Sequence, residues 1–212
     1  MTTVIVDYES GNLHSAEKAF QRMASDVGAG DVIVTSDPDV VRRASRVVLP
    51  GDGAFPACRK ALFDHRGVFE AIEEVVIAKG RPFMGICIGM QMLATRGLEY
   101  SETPGFDWIR GTVGALAPSD PSMKVPHMGW NDLVINAPHP VLKGISTGDH
   151  AYFVHSYQFR VDDPAIRLAH VSYGEDVTAV VGRDNIVGTQ FHPEKSQATG
   201  LAIISNFLRW AP

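Results

Sequence analysis

The chain has 212 residues, is 45% hydrophobic and 20% charged, and carries 19 Lys and Arg against 24 Asp and Glu, a formal net charge of −5. A chain this long buries about 70% of its unfolded surface and needs no disulfide or metal to hold a core. The acidic balance, with no Lys/Arg block, argues against nucleic acid as the main partner, and the two cysteines, Cys58 and Cys87, make no disulfide framework and fit a reducing compartment.

The first half alternates β-branched runs with helical periods. Residues 3–7 read as a buried strand, followed past Gly11-Asn12 by a helix over 15–27. Further strands fall at 31–35 and 46–49, the latter stopped by Pro50-Gly51-Asp52-Gly53. Val68, Ile72, Val75 and Val76 carry helical spacing up to Gly80. A strand over 82–86 leads straight into a helix over 88–95. Strands separated by helices imply a parallel sheet covered on both faces.

From about Gly105 the pattern changes to strands divided by Gly, Pro, Asn and Asp, at 111–116, 131–135, 151–160, 166–171, 178–181 and 186–190. These read as antiparallel hairpins added to the sheet. A closing helix spans 197–210 with Leu201, Ile204, Phe207 and Leu208 on one face. The longest largely apolar stretch, 82–90, is far short of the roughly 20 residues that a bilayer needs. The start of the chain carries no basic leader. The expectation is one cytoplasmic α/β domain over residues 1–212, with no membrane contact.

The most informative stretch is Gly85-Ile86-Cys87-Ile88-Gly89-Met90-Gln91. It has the strand, small residue, nucleophile, small residue, helix layout of a nucleophile elbow. The flanking glycines permit a tight turn, and a cysteine at a helix N-terminus has its thiolate stabilised by unpaired N–H groups. The N–H of Ile88 would point toward an oxyanion on the attacked carbonyl. On this heptapeptide alone, a nucleophile and a buried packing cysteine both remain open. Cys58 has no flanking glycine, lies within a helical stretch and reads as structural.

A nucleophilic cysteine needs a base and a group that orients the base. Gln190-Phe191-His192-Pro193-Glu194-Lys195 offers both. Pro193 restricts His192 to extended geometry, which places His192 and Glu194 on one side, the carboxylate fixing the tautomer of the imidazole. Zinc is the competing use of such residues, but the Pro-Cys-x-x-Cys partner of a zinc deaminase is missing and the histidines show no ligand spacing. The Gly51-Asp52-Gly53 segment lacks the third glycine and the Lys-Ser/Thr of a phosphate loop. No cofactor is expected.

Gly-x-Cys-x-Gly-x-Gln with a distant His-Pro-Glu resembles the class I (triad) glutamine amidotransferases. Within them, Asp7-Tyr8 with Gly11-Asn12-Leu13, residues 49–55, Lys124–Asn131, Tyr152–Tyr157 and 190–197 look like the glutaminases of the imidazole glycerol phosphate branch, and they span nearly the whole chain. The resemblance implies a flavodoxin-like, mostly parallel sheet with an added antiparallel region. It implies hydrolysis of glutamine to glutamate and ammonia, with Cys87 attacking the amide to form a thioester. His192 would protonate the ammonia and activate water, and Glu194 would orient it. Gln91, His155, Ser156 and Tyr157 would hold the ends of glutamine.

The same resemblance makes Gly51, Asp52, Gly53 and Ile88 the oxyanion-stabilising group, through backbone N–H groups. An acid at Asp52, where valine is common, is expected to point outward. The resemblance also implies a partner, a cyclase subunit with a (β/α)8 barrel that makes imidazole glycerol phosphate and AICAR from the delivered ammonia. Asn12, His127, Met128 and Trp130 would face that partner, and a flip at Gly51–Gly53 would couple turnover to its ligand. At 212 residues the chain has room for the amidotransferase alone, so the synthase half is expected on another chain. Lys195-Ser196 and Met128–Asn131 argue against the amidotransferases of other pathways. An intact Cys/His/Glu set argues against a silent binding module, and a cysteine peptidase is a poorer match.

Overall fold

The computed structural model describes residues 1–212. Its strands in chain order are β1 (Thr2–Val6), β2 (Asp31–Thr35), β3 (Arg46–Leu49), β4 (Phe83–Ile86), β5 (Arg96–Gly97), β6 (Thr103–Pro104) and β7 (Gly111–Ala115). They continue with β8 (His127–Asp132), β9 (Val134–Ile135), β10 (His150–His155), β11 (Tyr157–Val161), β12 (Arg167–Ser172), β13 (Asp176–Arg183) and β14 (Ile186–Thr189). The α-helices are α1 (Leu13–Val27), α2 (Pro38–Arg42), α3 (Phe55–Asp64), α4 (Val68–Glu73), α5 (Ile88–Gln91) and α6 (Gln197–Arg209).

The main sheet has eight strands in the order β2-β1-β3-β4-β14-β13-β12-β9. The first five are parallel, and β14, β13, β12 and β9 pair antiparallel beyond them. All four residues of β3, β4 and β14 are buried, as a sheet covered on both faces requires. The chain steps one way from β1 to β2 and the other way from β2 to β3. Right-handed crossovers therefore send the connecting helices to opposite faces. On one side α1 packs against α6, with Phe20 edge-on to Phe207 at 6.3 Å. Asn12 caps the start of α1 by accepting the Ser15 N–H at 3.2 Å, and left-handed Gly28 ends it.

Several elements depart from the sequence reading. The expected helix over 88–95 is only α5, because the carbonyls of Met92, Leu93 and Ala94 accept N–H groups from residues 106–109. The helix starting at Val68 finishes as a π-helical turn, Glu74–Ala78, with Lys79 N–H reaching back to Glu74 O. The expected strand over 151–160 breaks at Ser156, and its halves join different sheets. β10 pairs with β8, while β11 pairs with β7 in a small sheet ordered β11-β7-β5-β6. Of the strands after Gly105, β12, β13 and β9 extend the main sheet antiparallel, β14 joins it parallel to β4, and the others lie in the two smaller sheets. The expected strand over 131–135 is likewise two, β8 starting earlier at His127 and β9 following it. No helix is long and apolar enough to cross a membrane.

Ligands of open α/β sheets gather at the carboxyl ends of the strands, where the strand order reverses. Here the residues just past β1, β3, β4 and β14 are 7–12, 50–54, 87 and 190–196. Because β14 runs parallel to β4, all four loops open on one edge. The sheet topology thus gathers Tyr8, the Gly51–Gly53 loop, Cys87 and His192 from distant parts of the sequence.

Candidate active site

Cys87 occupies the turn between β4 and α5 with φ 55 and ψ −111, a backbone that a non-glycine residue adopts only under constraint. Its N–H donates to Thr189 O at 2.7 Å, which ties the turn to the end of β14. The turn closes only because both flanks are glycine. A Cβ on Gly89 would lie 1.8 Å from Leu49 O, and one on Gly85 would lie 2.5 Å from Gly89 O. The α5 that follows is a single turn, so the dipole support expected from a longer helix shrinks to a few N–H groups.

His192 has extended backbone, φ −92 and ψ 100, as Pro193 demands. Its N–H donates to Tyr152 O, and Ser196 Oγ donates to its carbonyl at 2.7 Å while accepting the Tyr152 N–H. Glu194 comes within reach through a 3₁₀ turn over Pro193–Lys195 rather than along a strand. Its Oε1 lies 2.8 Å from His192 Nδ1, so Nδ1 is the donor. The other ring nitrogen, Nε2, is buried without a hydrogen-bond partner. Burial works against a charged ring, but the Cys87 sulfur and the Glu194 carboxylate outweigh it and raise His192 from 6.5 to about 10. Cys87, His192 and Glu194 are thus brought together.

A cavity of about 240 Å³ opens beside Cys87, with Asp52, Gly53, Ile88, Gln91, Glu99 and Tyr157 among its walls. His155 and Ser156 also line it. Gln91 is fully buried; its Nε2 donates to Tyr157 O at 3.1 Å and to Gln190 Oε1 at 3.0 Å. Gln190 Nε2 in turn reaches Cys87 Sγ at 3.7 Å. Gln91 Oε1, His192 Nε2 and Glu194 Oε2 are all buried without partners. Buried polar atoms are rarely left unpaired, and Gln91, which lines the cavity, keeps its Oε1 open to a ligand.

The Gly51–Gly53 loop adjoins the cavity but presents itself differently from expectation. Tyr8 donates to Pro50 O at 2.6 Å, and a Cβ on Gly51 would lie 2.7 Å from the Tyr8 hydroxyl. The Asp52 side chain is exposed, as the sequence suggested. Its N–H, however, donates to Ser10 Oγ at 3.2 Å, and its carbonyl accepts from Ser10 Oγ at 2.9 Å and from the Cys58 thiol at 3.3 Å. The amide expected to face the substrate is turned toward Ser10. Cys58 is buried, and burial raises its thiol.

Of the four residues expected at a partner surface, Met128 and Trp130 are exposed, at 63% and 47%. Trp130 packs edge-on to Tyr152 at 5.8 Å. Asn12 is exposed but already serves α1 as its cap. His127 differs from expectation: at 3% exposure it faces inward and meets His155, because neighbouring residues of β8 point to opposite faces. Glu99 and Gln190 were not singled out by sequence. Glu99 sits in an irregular turn where its Oε2 accepts the Phe55 N–H at 2.7 Å, and no motif marks it. Gln190 stands two residues before His192, a position the neighbouring motif could have flagged.

Comparison with known proteins now adds to the geometry. A family model for class-I glutamine amidotransferases matches residues 5–210. The chain is 69% identical over 212 residues to the imidazole glycerol phosphate synthase subunit HisH of Cereibacter sphaeroides, covering 100% of both. It is 57% identical over 214 residues to the HisH subunit of Rhodospirillum rubrum, again covering 100% of both. A solved glutamine amidotransferase matches with a TM-score of 0.70 at 18% identity, over 93% of this chain and 94% of that one. Another, from Thermotoga maritima, matches with a TM-score of 0.63 at 16% identity, over 92% and 76%. The structural likeness concerns the fold, while the family match and the close relatives cover the chain nearly end to end. The chain belongs to the class-I glutamine amidotransferase family.

Proposed function

We propose that the chain, acting over residues 1–212 as one amidotransferase domain, is the glutaminase subunit of an imidazole glycerol phosphate synthase in histidine biosynthesis. It hydrolyses glutamine to glutamate and ammonia and hands the ammonia to a cyclase subunit, a (β/α)8 barrel. The observation that carries the reading is the meeting of Cys87 with the buried His192–Glu194 pair beside a cavity of about 240 Å³. The full-length relatives named as HisH supply the pathway. A cytoplasmic location fits two free cysteines and the lack of a membrane-crossing helix.

In this reading, Cys87 Sγ, its proton carried by His192 Nε2, attacks the side-chain amide carbon of glutamine and forms a tetrahedral adduct. Collapse of the adduct breaks the C–N bond, and His192 in its imidazolium form gives its Nε2 proton to the departing ammonia. The neutral ring then takes a proton from water, which attacks the thioester, releases glutamate and leaves the Cys87 sulfur facing the imidazolium again. Glu194 holds His192 in the Nδ1-donor orientation throughout. Glu99 supplies negative charge for the α-ammonium of glutamine, while Gln91, His155, Ser156 and Tyr157 line its binding cavity. Gly51, Asp52, Gly53 and Ile88 supply the oxyanion N–H groups. Asn12, Met128 and Trp130 meet the partner, with His127 behind them.

The Ser10–Asp52 bond supports partner control, because the Asp52 amide must turn before it can serve an oxyanion. The test is to measure glutamate release with and without a cyclase subunit carrying its ligand. The isolated chain should be slow and the liganded complex much faster. Equal rates would contradict partner control, and no glutamate from either would contradict the glutaminase reading.

A further inference from the structure

His127 and His155 are direct cross-strand partners on β8 and β10, and both face inward. His127 Nδ1 lies 3.0 Å from His155 Nε2. At one end Asn131 Nδ2 approaches His127 Nε2 at 3.2 Å, and at the other His155 Nδ1 approaches Tyr157 O at 2.8 Å. The two ends fix every proton between them. A carbonyl only accepts, so His155 Nδ1 carries a proton. Asn131 Oδ1 takes the Asp132 N–H at 2.8 Å and its Nδ2 donates to Ser172 O at 3.1 Å, so it is the amide nitrogen that faces His127. His127 Nε2 therefore accepts, and His127 Nδ1 donates to His155 Nε2. All the bonds run one way, from Asn131 to Tyr157, and the order holds only while both rings are neutral.

The surroundings favour neutrality. His127 stacks between Tyr173 at 4.0 Å and Phe153 at 4.8 Å. Burial lowers both histidines from 6.5 to about 4; charge on His127 and His192 also works against a cation at His155, while its bond to Tyr157 O partly opposes the fall. A proton added to either ring would set two N–H groups against each other.

The Tyr157 carbonyl at the end of this chain also accepts from Gln91 Nε2, and the other atom of that amide, Oε1, is buried without a partner. We propose that the Asn131–His127–His155 chain is a positioning relay that fixes the Tyr157 carbonyl and, through it, the Gln91 amide for glutamine. The relay rests on the proposed glutaminase reading and assigns the two histidines within it. Neither is a catalytic residue, since each ring nitrogen is already engaged by protein. Two apolar rings would fill the same space; what the histidines add is a directional set of bonds reaching the pocket wall.

The experiment uses the complex with its liganded cyclase. His155→Phe keeps a ring but removes one of the two side-chain donors to Tyr157 O. It should raise the glutamine KM about five- to tenfold with kcat changed by less than about twofold, the scale of one lost hydrogen bond. His127→Phe keeps the stacking and should raise KM in the same direction. His155→Asn, whose amide nitrogen stands near the place of Nδ1, should recover most of the loss. Long-range 1H–15N spectra of the unmodified complex should show both rings protonated at Nδ1, a reading that needs no variant to fold. Unchanged KM in both Phe variants, a fall in kcat as large as the rise in KM, or an Nε2-protonated ring would overturn the relay. A wild-type complex that releases no glutamate would instead overturn the glutaminase reading, and the relay with it.

Discussion

The imidazole of His192 meets the carboxylate of Glu194 at 2.8 Å across a single proline, and both side chains are almost wholly enclosed. Enclosure alone would strip the charge from the ring. Paired with Glu194 and facing Cys87, the ring instead holds its proton well above neutral pH. An imidazolium so favoured is the acid that the proposed mechanism asks of His192.

Replacing Glu194 with Gln should therefore remove the orientation and the charge together. Glutaminase kcat in the liganded complex should fall by roughly 10²- to 10⁴-fold, the scale seen when a triad carboxylate is lost. Assay of glutamate release checks this; a fall of less than about tenfold would leave Glu194 without the proposed role.

The same pair sets a pH dependence of stability. His192 is raised from 6.5 to about 10 in the folded chain, so the folded state binds the proton more tightly than the unfolded state. Its contribution is fully present below pH 6.5 and is lost as pH rises through 10. Urea unfolding should show declining stability between those values, with a shallower decline in the Glu194→Gln variant. Identical slopes would contradict the coupling.

Ser10 offers a test of the loop. Its hydroxyl accepts the Asp52 N–H and donates to the Asp52 carbonyl, holding the peptide away from an oxyanion-facing orientation. Ser10→Ala should raise glutaminase of the unpartnered chain about three- to tenfold, as loss of one or two weak restraints would, and reduce the stimulation by the partner. Unchanged basal turnover would mean that other contacts, such as Tyr8 to Pro50, hold the loop alone.

Gly89→Ala tests the elbow. The added methyl would stand 1.8 Å from the Leu49 carbonyl, a backbone atom of an interior strand. The variant should lose about 3 kcal/mol or more of stability, or fail to fold, since neither β3 nor the elbow has room to shift. A melting temperature like that of the wild type would show that the turn is looser than described.

Much of this was legible in the sequence because it depends on local pattern. The runs Val4–Val6, Val47–Leu49 and Phe83–Ile86 within β1, β3 and β4 are apolar without a break, as strands buried on both faces are. The glycines around Cys87 and the proline after His192 carry their geometry in their own backbone preferences. The rest is set by contacts between distant residues. The length of α5 depends on a loop at 106–109 that takes the carbonyls of Met92, Leu93 and Ala94 just beyond it. Gln190 gains its place because β14 runs beside β4, and Ser10 because its loop lies next to 50–53. His127 is the instructive miss. Exposed Met128 and Trp130 alternate with inward His127 and Asn131, a period of two that the run Pro126–Asn131 already carries.

The most direct test of the account is Cys87→Ala in the complex, assayed for cyclase product with glutamine and, separately, with added ammonium salt. The account predicts no glutamine-dependent product and undiminished ammonia-dependent product, because only the nucleophile is removed while the partner and the interface remain. Glutamine-dependent turnover that survived the substitution would contradict Cys87 as the nucleophile.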